Sequence, residues 1–292
     1  MNAAPKASPG LVVFIGAGPG AADLITLRGA RWLARADVVL FDALTDAALR
    51  DLAPQARWVD VGKRGFCQST AQASIDARLV AEAHRHAVVV RLKGGDPSLF
   101  GRLEEELEAL AAAGIRSEVV PGITAALAAA ADTQRPLTRR GRGRSVALAT
   151  AMTREGALRA EAPRADTEVY YMAGRQLGAL GRRLRALGWA ADAPVSVVSR
   201  AGCSDSLASQ HALADLAQAA LLHAGRPTVV TVGAGATAVA TPAYAAARSA
   251  QSASTAASTA TSAAASTTSE PRGPATACAI DLVQGEVATT AP

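Results

Sequence analysis

Residues 88–97, VVVRLKGGDP, indicate the fold class more clearly than any other stretch of the chain. A mostly apolar run is followed at once by two glycines, an aspartate and a proline. Such a run is typical of a buried strand in a parallel sheet, and the glycines let the backbone turn sharply where the strand ends. A buried strand that leads through a tight turn into a helix is the repeating unit of α/β folds.

The same alternation extends in both directions from this stretch. Apolar runs at 11–15 and 38–41 predict further strands, strands are also predicted at 58–61 and 117–120, and helical spacing is found at 24–36, 72–84 and 103–113. Strands that alternate with helices predict a mostly parallel sheet with helices on both faces. Ligands collect beyond the carboxyl ends of such strands, where Asp42, Lys63 and the segments 16–20 and 94–96 fall.

A basic segment at 136–144, PLTRRGRGR, divides this half from a second one. The second half has predicted strands at 145–149, 168–172, 195–198 and 228–232, and a helix at 177–187. We therefore predict an α/β protein with two domains, each a mostly parallel sheet flanked by helices. The predicted parts are a disordered leader at 1–10, a domain at 11–135, a linker at 136–144, a domain at 145–240 and a disordered tail at 241–292, which is rich in alanine, serine and threonine.

Composition restricts the function classes. The net charge of +5 favours acidic partners, but aromatic residues make up only 3% and no recognition motif is present, so a nucleic-acid binder is disfavoured. The three cysteines, Cys67, Cys203 and Cys278, form no close pair, which predicts neither a disulfide framework nor a metal site and favours the cytoplasm. No signal peptide or membrane span is expected.

The loop Gly16-Ala17-Gly18-Pro19-Gly20 follows a buried strand and nearly fits the dinucleotide fingerprint GxGxxG/A. A nicotinamide or flavin domain is therefore a real alternative at this point. Pro19 counts against it because proline stiffens the turn and removes a donor for a phosphate. Asp42 also lies rather far along the chain for the usual contact with a ribose.

Three later stretches favour a different ligand. RLKGGDP at 91–97, VGKR at 61–64 and VPGITAA at 120–126 each follow a predicted strand. Glycines at these strand ends can wrap an adenosyl ligand with the backbone, while a carboxylate lies near its polar groups. Three unrelated tight turns would not explain why all three stretches have this pattern.

These stretches, together with FIGAGPG, ADVVLFD, FGR and PLT in the same order, resemble the uroporphyrinogen-III C-methyltransferases of the tetrapyrrole methylase superfamily. The resemblance covers residues 11–239. It implies two α/β domains, a homodimer, and S-adenosylmethionine held between the domains. It also implies transfer of two methyl groups to C-2 and C-7 of uroporphyrinogen III, which gives precorrin-2 for sirohaem, cobalamin or haem d1 synthesis.

The resemblance also implies site residues. Asp42 corresponds to the family's proposed proton acceptor and Lys63 to its proposed proton donor, and no metal is implied. Arg64 and Arg139 are candidates to bind the eight substrate carboxylates, since guanidinium groups can grip carboxylates with two hydrogen bonds. The implied cofactor contacts are Pro19, Gly94, Gly95, Asp96, Leu99, Thr124, Ala125, Met172 and Ala201.

Several positions depart from the family pattern, mainly where the macrocycle is expected to bind. Ala43 stands where arginine is usual after the aspartate, Leu103 to Glu106 replace GGEE, and Arg139 replaces a histidine. Two alternatives therefore stay open beside the main interpretation. One is a methyltransferase that acts on a different tetrapyrrole, and the other is a non-catalytic relative that binds S-adenosylmethionine or a tetrapyrrole.

Overall fold

The computed structural model describes residues 9–62, 72–151 and 165–239. All of them lie in one compact unit, which ends at Val239. Within these ranges no helix is long and apolar enough to cross a membrane. The leader predicted for 1–10 lies outside the described ranges except for its last two residues, and the tail predicted for 241–292 lies outside them entirely.

Five strands form the first sheet: β1 (Leu11–Gly16), β2 (Val38–Phe41), β3 (Arg57–Asp60), β4 (Val88–Lys93) and β5 (Ser117–Val120). Their spatial order is β3-β2-β4-β1-β5, and every neighbouring pair is parallel. The parallel sheet predicted from the apolar runs is thus confirmed here.

Helices cover both faces of this sheet, as predicted. Alternate residues of β1 point to opposite faces: Val12 and Phe14 join one core cluster, and Val13 and Ile15 join the other. All four side chains are fully buried. The helices of this half are α1 (Leu27–Leu33), α2 (Gln72–Ala83), α3 (Leu103–Ala112) and α4 (Ala125–Thr133), with short 3₁₀ helices at Ala22–Leu24 and Ala47–Leu52.

The strand order argues against the nicotinamide or flavin alternative. In the dinucleotide-binding fold the first two strands are neighbours and a helix opens directly after the glycine loop. Here β4 lies between β1 and β2. The loop that ends at Gly20 is followed by a three-residue 3₁₀ helix, and α1 begins only at Leu27. The helix N-terminus that would bind a pyrophosphate is therefore not placed at this loop.

The second sheet contains β6 (Val146–Thr150), β7 (Thr167–Tyr171), β8 (Pro194–Ser199), β9 (Leu207–Ala212) and β10 (Thr228–Gly233), in the order β6-β7-β10-β8-β9. Only β6 and β7 pair in parallel, and the other three pairs are antiparallel. The prediction of a mostly parallel sheet is corrected for this half. Its helices are α5 (Leu177–Ala186) and α6 (Ala219–Leu222), with 3₁₀ helices at Leu213–Gln218 and Ala234–Ala236.

The antiparallel pairing of β8 with β9 has a simple cause. Residues 200–206 join β8 to β9, and a parallel crossover needs a dozen or more residues. The sequence LASQHA of β9 has no apolar run, which is why this strand is missing from the sequence prediction. Each predicted domain contains one sheet, and the boundary at 136–144 stays a prediction.

Helix α4 connects the two sheets through small side chains. Ala126 and Ala129 of this helix are buried against Val169, Val198 and Val229 of the second sheet. Because α4 begins directly after β5, this packing brings the carboxyl edge of the first sheet against the second sheet. The contact sets the positions of the residues at the start of α4.

A buried histidine in the second sheet leads to a prediction for stability. His223 has no exposed surface, and its Nδ1 and Nε2 lie 2.6 Å from Ser199 Oγ and 2.8 Å from Ser209 Oγ. Burial, with the neighbouring His211 and Arg226, lowers its pKa. The unfolded chain then binds a proton at a higher pH than the folded chain does. The free energy of unfolding should therefore fall as the pH drops below about 6.5, the ordinary histidine value.

Urea unfolding at pH 7.5 and 5.5 measures this effect. The wild type should lose stability at the lower pH, and His223→Gln should lose less between the two values. His84→Gln is the control, since His84 is exposed and should keep the wild-type difference. An equal pH difference in wild type and His223→Gln would contradict the assignment.

Candidate functional site

Three loops beyond the carboxyl ends of β1, β4 and β5 meet at glycines. A Cβ atom built on Gly122 would lie 2.2 Å from the carbonyl oxygen of Gly95 and 2.6 Å from the Cα of Gly16. The amides of Gly18 and Gly95 donate to each other's carbonyls, at 3.3 and 2.7 Å. Only glycine permits backbones to approach so closely, so these residues determine how the three loops assemble.

Asp96 connects two of these loops. Its Oδ1 accepts from the amide of Ser98 at 2.8 Å, and its Oδ2 accepts from the amide of Gly122 at 2.9 Å. The amide of Leu99 donates to the Asp96 carbonyl at 3.2 Å, which continues the turn. The carboxylate therefore holds the loop shape, which is a structural role beside the ligand contact predicted from the sequence.

Gly95 is the residue of these loops that faces open space. Its φ is +71°, and a Cβ built on it would meet no atom within 4 Å. A Cβ on neighbouring Gly94 would lie 3.1 Å from the Cβ of Leu44, so the loop after β4 also borders the loop after β2. The backbone is thus accessible at Gly95 and closely packed on its other sides.

The second sheet contributes its own residues to this edge. Tyr171, the last residue of β7, has its hydroxyl 2.5 Å from Thr124 Oγ1, and its ring centroid lies 5.0 Å from that of Phe100. Burial raises the pKa of Tyr171, which keeps the hydroxyl protonated. Met172 follows directly and is 47% exposed. Met172 therefore directly follows a residue that contacts Thr124, and its cofactor contact stays a prediction.

The loop after β8 packs on the first glycine loop. A Cβ on Gly202 would lie 2.7 Å from Cγ of Pro19, and a Cβ on Gly20 would lie 2.1 Å from Sγ of Cys203. Ala201, which is 4% exposed, therefore lies next to the loop that holds Pro19. Burial raises the pKa of the Cys203 thiol, which does not favour an activated nucleophile.

Unusual backbone conformations cluster around the same edge. Phe100, Arg102, Met172 and Arg200 have φ between +51° and +58°, a region that non-glycine residues seldom adopt. Such residues persist where the surrounding structure enforces them, and they are concentrated at binding and catalytic sites. Their shared location supports a functional site where the two sheets meet.

Asp42 lies at the end of β2, and its side chain is 31% exposed. Its Oδ1 accepts from Nη2 of Arg91 at 2.7 Å. Arg91 in turn donates to buried Glu106, which also binds Lys93. We call Asp42, Arg91, Glu106 and Lys93 the buried charge chain. Its last three members were not predicted as site residues from the sequence, although a charge inside the apolar run VVVRLK was a usable signal.

Lys63 and Arg64 lie outside the described residues, so their predicted roles stay predictions. The preceding residue, Gly62, is described. A Cβ built on it would lie 2.3 Å from the amide nitrogen of Ala43. The loop after β3 therefore starts in contact with the loop that carries Asp42.

Arg139 lies elsewhere. With Arg142, Asp166 and Trp189 it lines a cavity of about 510 Å³ where β7 begins, at the opposite end of that strand from Tyr171. Its guanidinium donates to the carbonyls of Thr237 and Ala238. A five-residue strand separates the two ends by roughly 15 Å, so the structure does not bring Arg139 together with Asp42.

Comparison with known proteins identifies the family. Residues 11–217 match the model of the tetrapyrrole (corrin/porphyrin) methylases. A uroporphyrinogen-III C-methyltransferase of Pseudomonas aeruginosa is 41% identical over 232 residues, which are 77% of this chain and 93% of that protein. A sirohaem synthase of Pseudomonas fluorescens is 40% identical over 241 residues, 80% of this chain but only 52% of the larger protein.

A solved structure agrees with this match. The uroporphyrin-III C-methyltransferase of Thermus thermophilus, crystallised as a complex with S-adenosylhomocysteine, superposes with a TM-score of 0.68 at 34% identity and covers 77% of this chain and 97% of that one. The chain belongs to the tetrapyrrole methylases.

Proposed function

We propose that this protein transfers two methyl groups from S-adenosylmethionine to uroporphyrinogen III, at C-2 and C-7, and so makes precorrin-2. One observation carries the proposal. At the carboxyl edge of the first sheet, the glycine loops and the Asp42 carboxylate lie where the second sheet packs. The names of the relatives support the choice of substrate. The product would feed sirohaem, cobalamin or haem d1 synthesis.

The described residues fit S-adenosylmethionine. Gly95 offers an open backbone edge that a side chain would fill, and Thr124, Met172 and Ala201 come from three other elements around it. When bound, S-adenosylmethionine supplies a methyl group already activated by its sulfonium. The protein's own part is to align this group with a pyrrole carbon and to exclude water.

We propose Asp42 as the group that accepts the proton that the alkylated macrocycle must lose. A carboxylate fills this role if it is ionised, accessible and held in position. Arg91 holds Oδ1 at 2.7 Å, and 31% of the side chain remains exposed. Within the described ranges Arg91 is the one side chain bonded to this carboxylate, which leaves Oδ2 to meet the substrate.

Substrate carboxylates need cations close to Asp42. Lys63 and Arg64 follow Gly62 in the sequence, and Gly62 contacts Ala43, the residue after Asp42, which supports a role for both cations near Asp42. We keep Lys63 as the proton donor and Arg64 as a substrate contact. The location of Arg139 at the other end of β7 gives no support to the same role for it.

Transfer of a labelled methyl group from S-adenosylmethionine to uroporphyrinogen III, without oxygen, tests the proposal. Labelled precorrin-2 is the expected product. Labelling of another tetrapyrrole alone would favour the first alternative, a different substrate. Tight S-adenosylhomocysteine binding without transfer to any tetrapyrrole would favour the second alternative, a non-catalytic relative.

We also propose a cytoplasmic homodimer. The family resemblance supports the dimer, and the absence of paired cysteines in the sequence supports a reducing compartment. Light scattering during gel filtration measures the first of these, and a monomeric mass at working concentrations would contradict it.

A further inference from the structure

The buried charge chain of Asp42, Arg91, Glu106 and Lys93 is a continuous series of alternating charges beneath the site. Nη2 of Arg91 lies 2.7 Å from Asp42 Oδ1, and Nε of Arg91 lies 2.9 Å from Glu106 Oε1. The other oxygen of Glu106 lies 2.5 Å from Nζ of Lys93. The series therefore runs from the strand end through β4 to helix α3 without a break.

Burial is very uneven along this series. The side chains of Arg91 and Lys93 are 3% exposed and that of Glu106 is fully buried, whereas Asp42 is 31% exposed. Asp42 is thus the end of the series that reaches the site. Burying ions costs several kcal/mol each, and well-packed apolar residues of similar volume are often as stable. Stability alone gives no reason for three buried ions here.

The directions of the pKa shifts agree with this arrangement. Burial would lower the pKa of Arg91, but Asp42 and Glu106 outweigh it and raise the pKa, so Arg91 stays charged. Burial and the neighbouring Arg91 cation lower the pKa of Lys93 against the attraction of Glu106. Glu106 shares its two oxygens between the two cations, and the second oxygen keeps Lys93 in place.

We propose that Arg91 and Glu106 are positioning residues, which hold the Asp42 carboxylate in the orientation that accepts the substrate proton. Glu106 binds Nε of the planar guanidinium and so fixes the direction in which Nη2 reaches Asp42. A backbone carbonyl also holds the guanidinium in place, since Arg91 Nη1 donates to Leu92 O at 3.1 Å. This inference rests on the proposed function, in which Asp42 is the proton acceptor.

A double-mutant cycle tests the inference. Arg91→Lys keeps the charge but loses the fork that reaches both carboxylates. We expect kcat to fall about 10- to 100-fold, the cost of a misplaced reacting group, while S-adenosylhomocysteine affinity stays within about twofold. In the Asp42→Asn background the same change should lower kcat by less than about twofold, because the group it positions is already gone.

A second variant and a control extend the test of the positioning role. Glu106→Gln removes one charge with little change in shape and should lower kcat in the same non-additive way, even if Arg91→Lys folds poorly. The matched control is Arg57→Lys. Arg57 belongs to the same sheet and also binds a fully buried glutamate, Glu82, at 2.6 Å, but it lies away from Asp42. This control should leave kcat unchanged.

The outcomes distinguish the positioning role of Arg91 and Glu106 from the role of Asp42 as proton acceptor. Wild-type kcat in Arg91→Lys and Glu106→Gln, or losses that multiply in full with that of Asp42→Asn, would overturn the positioning role. Wild-type kcat in Asp42→Asn alone would instead overturn the role of Asp42 in the proposed function.

Discussion

Asp42→Asn should lower kcat by about 10²- to 10⁴-fold, the usual contribution of a general acid or base. Asparagine has the same shape, and its amide oxygen can still accept the hydrogen bond from Arg91. It cannot take up a proton, so the alkylated macrocycle would keep the proton that must leave. S-adenosylhomocysteine affinity should be unchanged, because the predicted cofactor contacts lie on other loops. Steady-state methylation and calorimetric titration measure the two effects.

The control for this variant is the aspartate at the other end of the same strand. Asp37 precedes β2 at its opposite end, where its Oδ2 accepts from the amide of Val88 at 2.9 Å. Asp37→Asn should therefore leave both kcat and affinity near wild type. Loss of S-adenosylhomocysteine affinity in Asp42→Asn, with the fold intact by circular dichroism, would contradict the role of Asp42.

Gly122→Ala should abolish most cofactor binding, with at least a tenfold rise in Kd. Its new Cβ would lie 2.2 Å from the Gly95 carbonyl oxygen and 2.6 Å from the Cα of Gly16. These are backbone atoms, which no rotamer change can move away. The loops after β1, β4 and β5 must separate, at a cost of about 1–3 kcal/mol typical of overpacking. Titration with S-adenosylhomocysteine and thermal unfolding together measure binding and stability.

Gly178→Ala provides the comparison for that variant. Gly178 lies on α5, and its built Cβ would meet first the Cβ of Ala217 at 3.3 Å, a contact that a small shift relieves. Binding should stay at the wild-type level, since the nearest atoms to this Cβ belong to Ala217 and Arg182 and not to the glycine loops. If Gly122→Ala bound S-adenosylhomocysteine as tightly as wild type, the meeting of the three loops would not form the cofactor site.

The parallel sheet could be predicted because its central strands, β1, β2 and β4, are nearly continuous apolar runs. Such runs indicate strands buried on both faces, as LVVFI and VVLF are in β1 and β2. The second sheet was harder to predict for a physical reason. β9 is an edge strand with alternating exposure, so its sequence lacks an apolar run, and strand direction is set by connection lengths and neighbours.

The candidate site could be predicted in part. Glycines and an aspartate at strand ends carry a clear signal, and the structure places Gly95, Asp96 and Thr124 on neighbouring loops. Arg91 and Glu106 are 15 positions apart and belong to different elements. Their pairing follows from packing that no local pattern encodes. Arg139 could not be placed either, because a basic run has the same composition whichever end of a sheet it lies on.

The most direct test of the central claim is anaerobic incubation of the purified protein with S-adenosylmethionine and enzymatically generated uroporphyrinogen III, followed by mass spectrometry of the product. The account predicts a product heavier than the substrate by two methyl groups, preceded in time by one heavier by a single methyl group. Unchanged uroporphyrinogen III, from protein that still binds S-adenosylhomocysteine tightly, would contradict it.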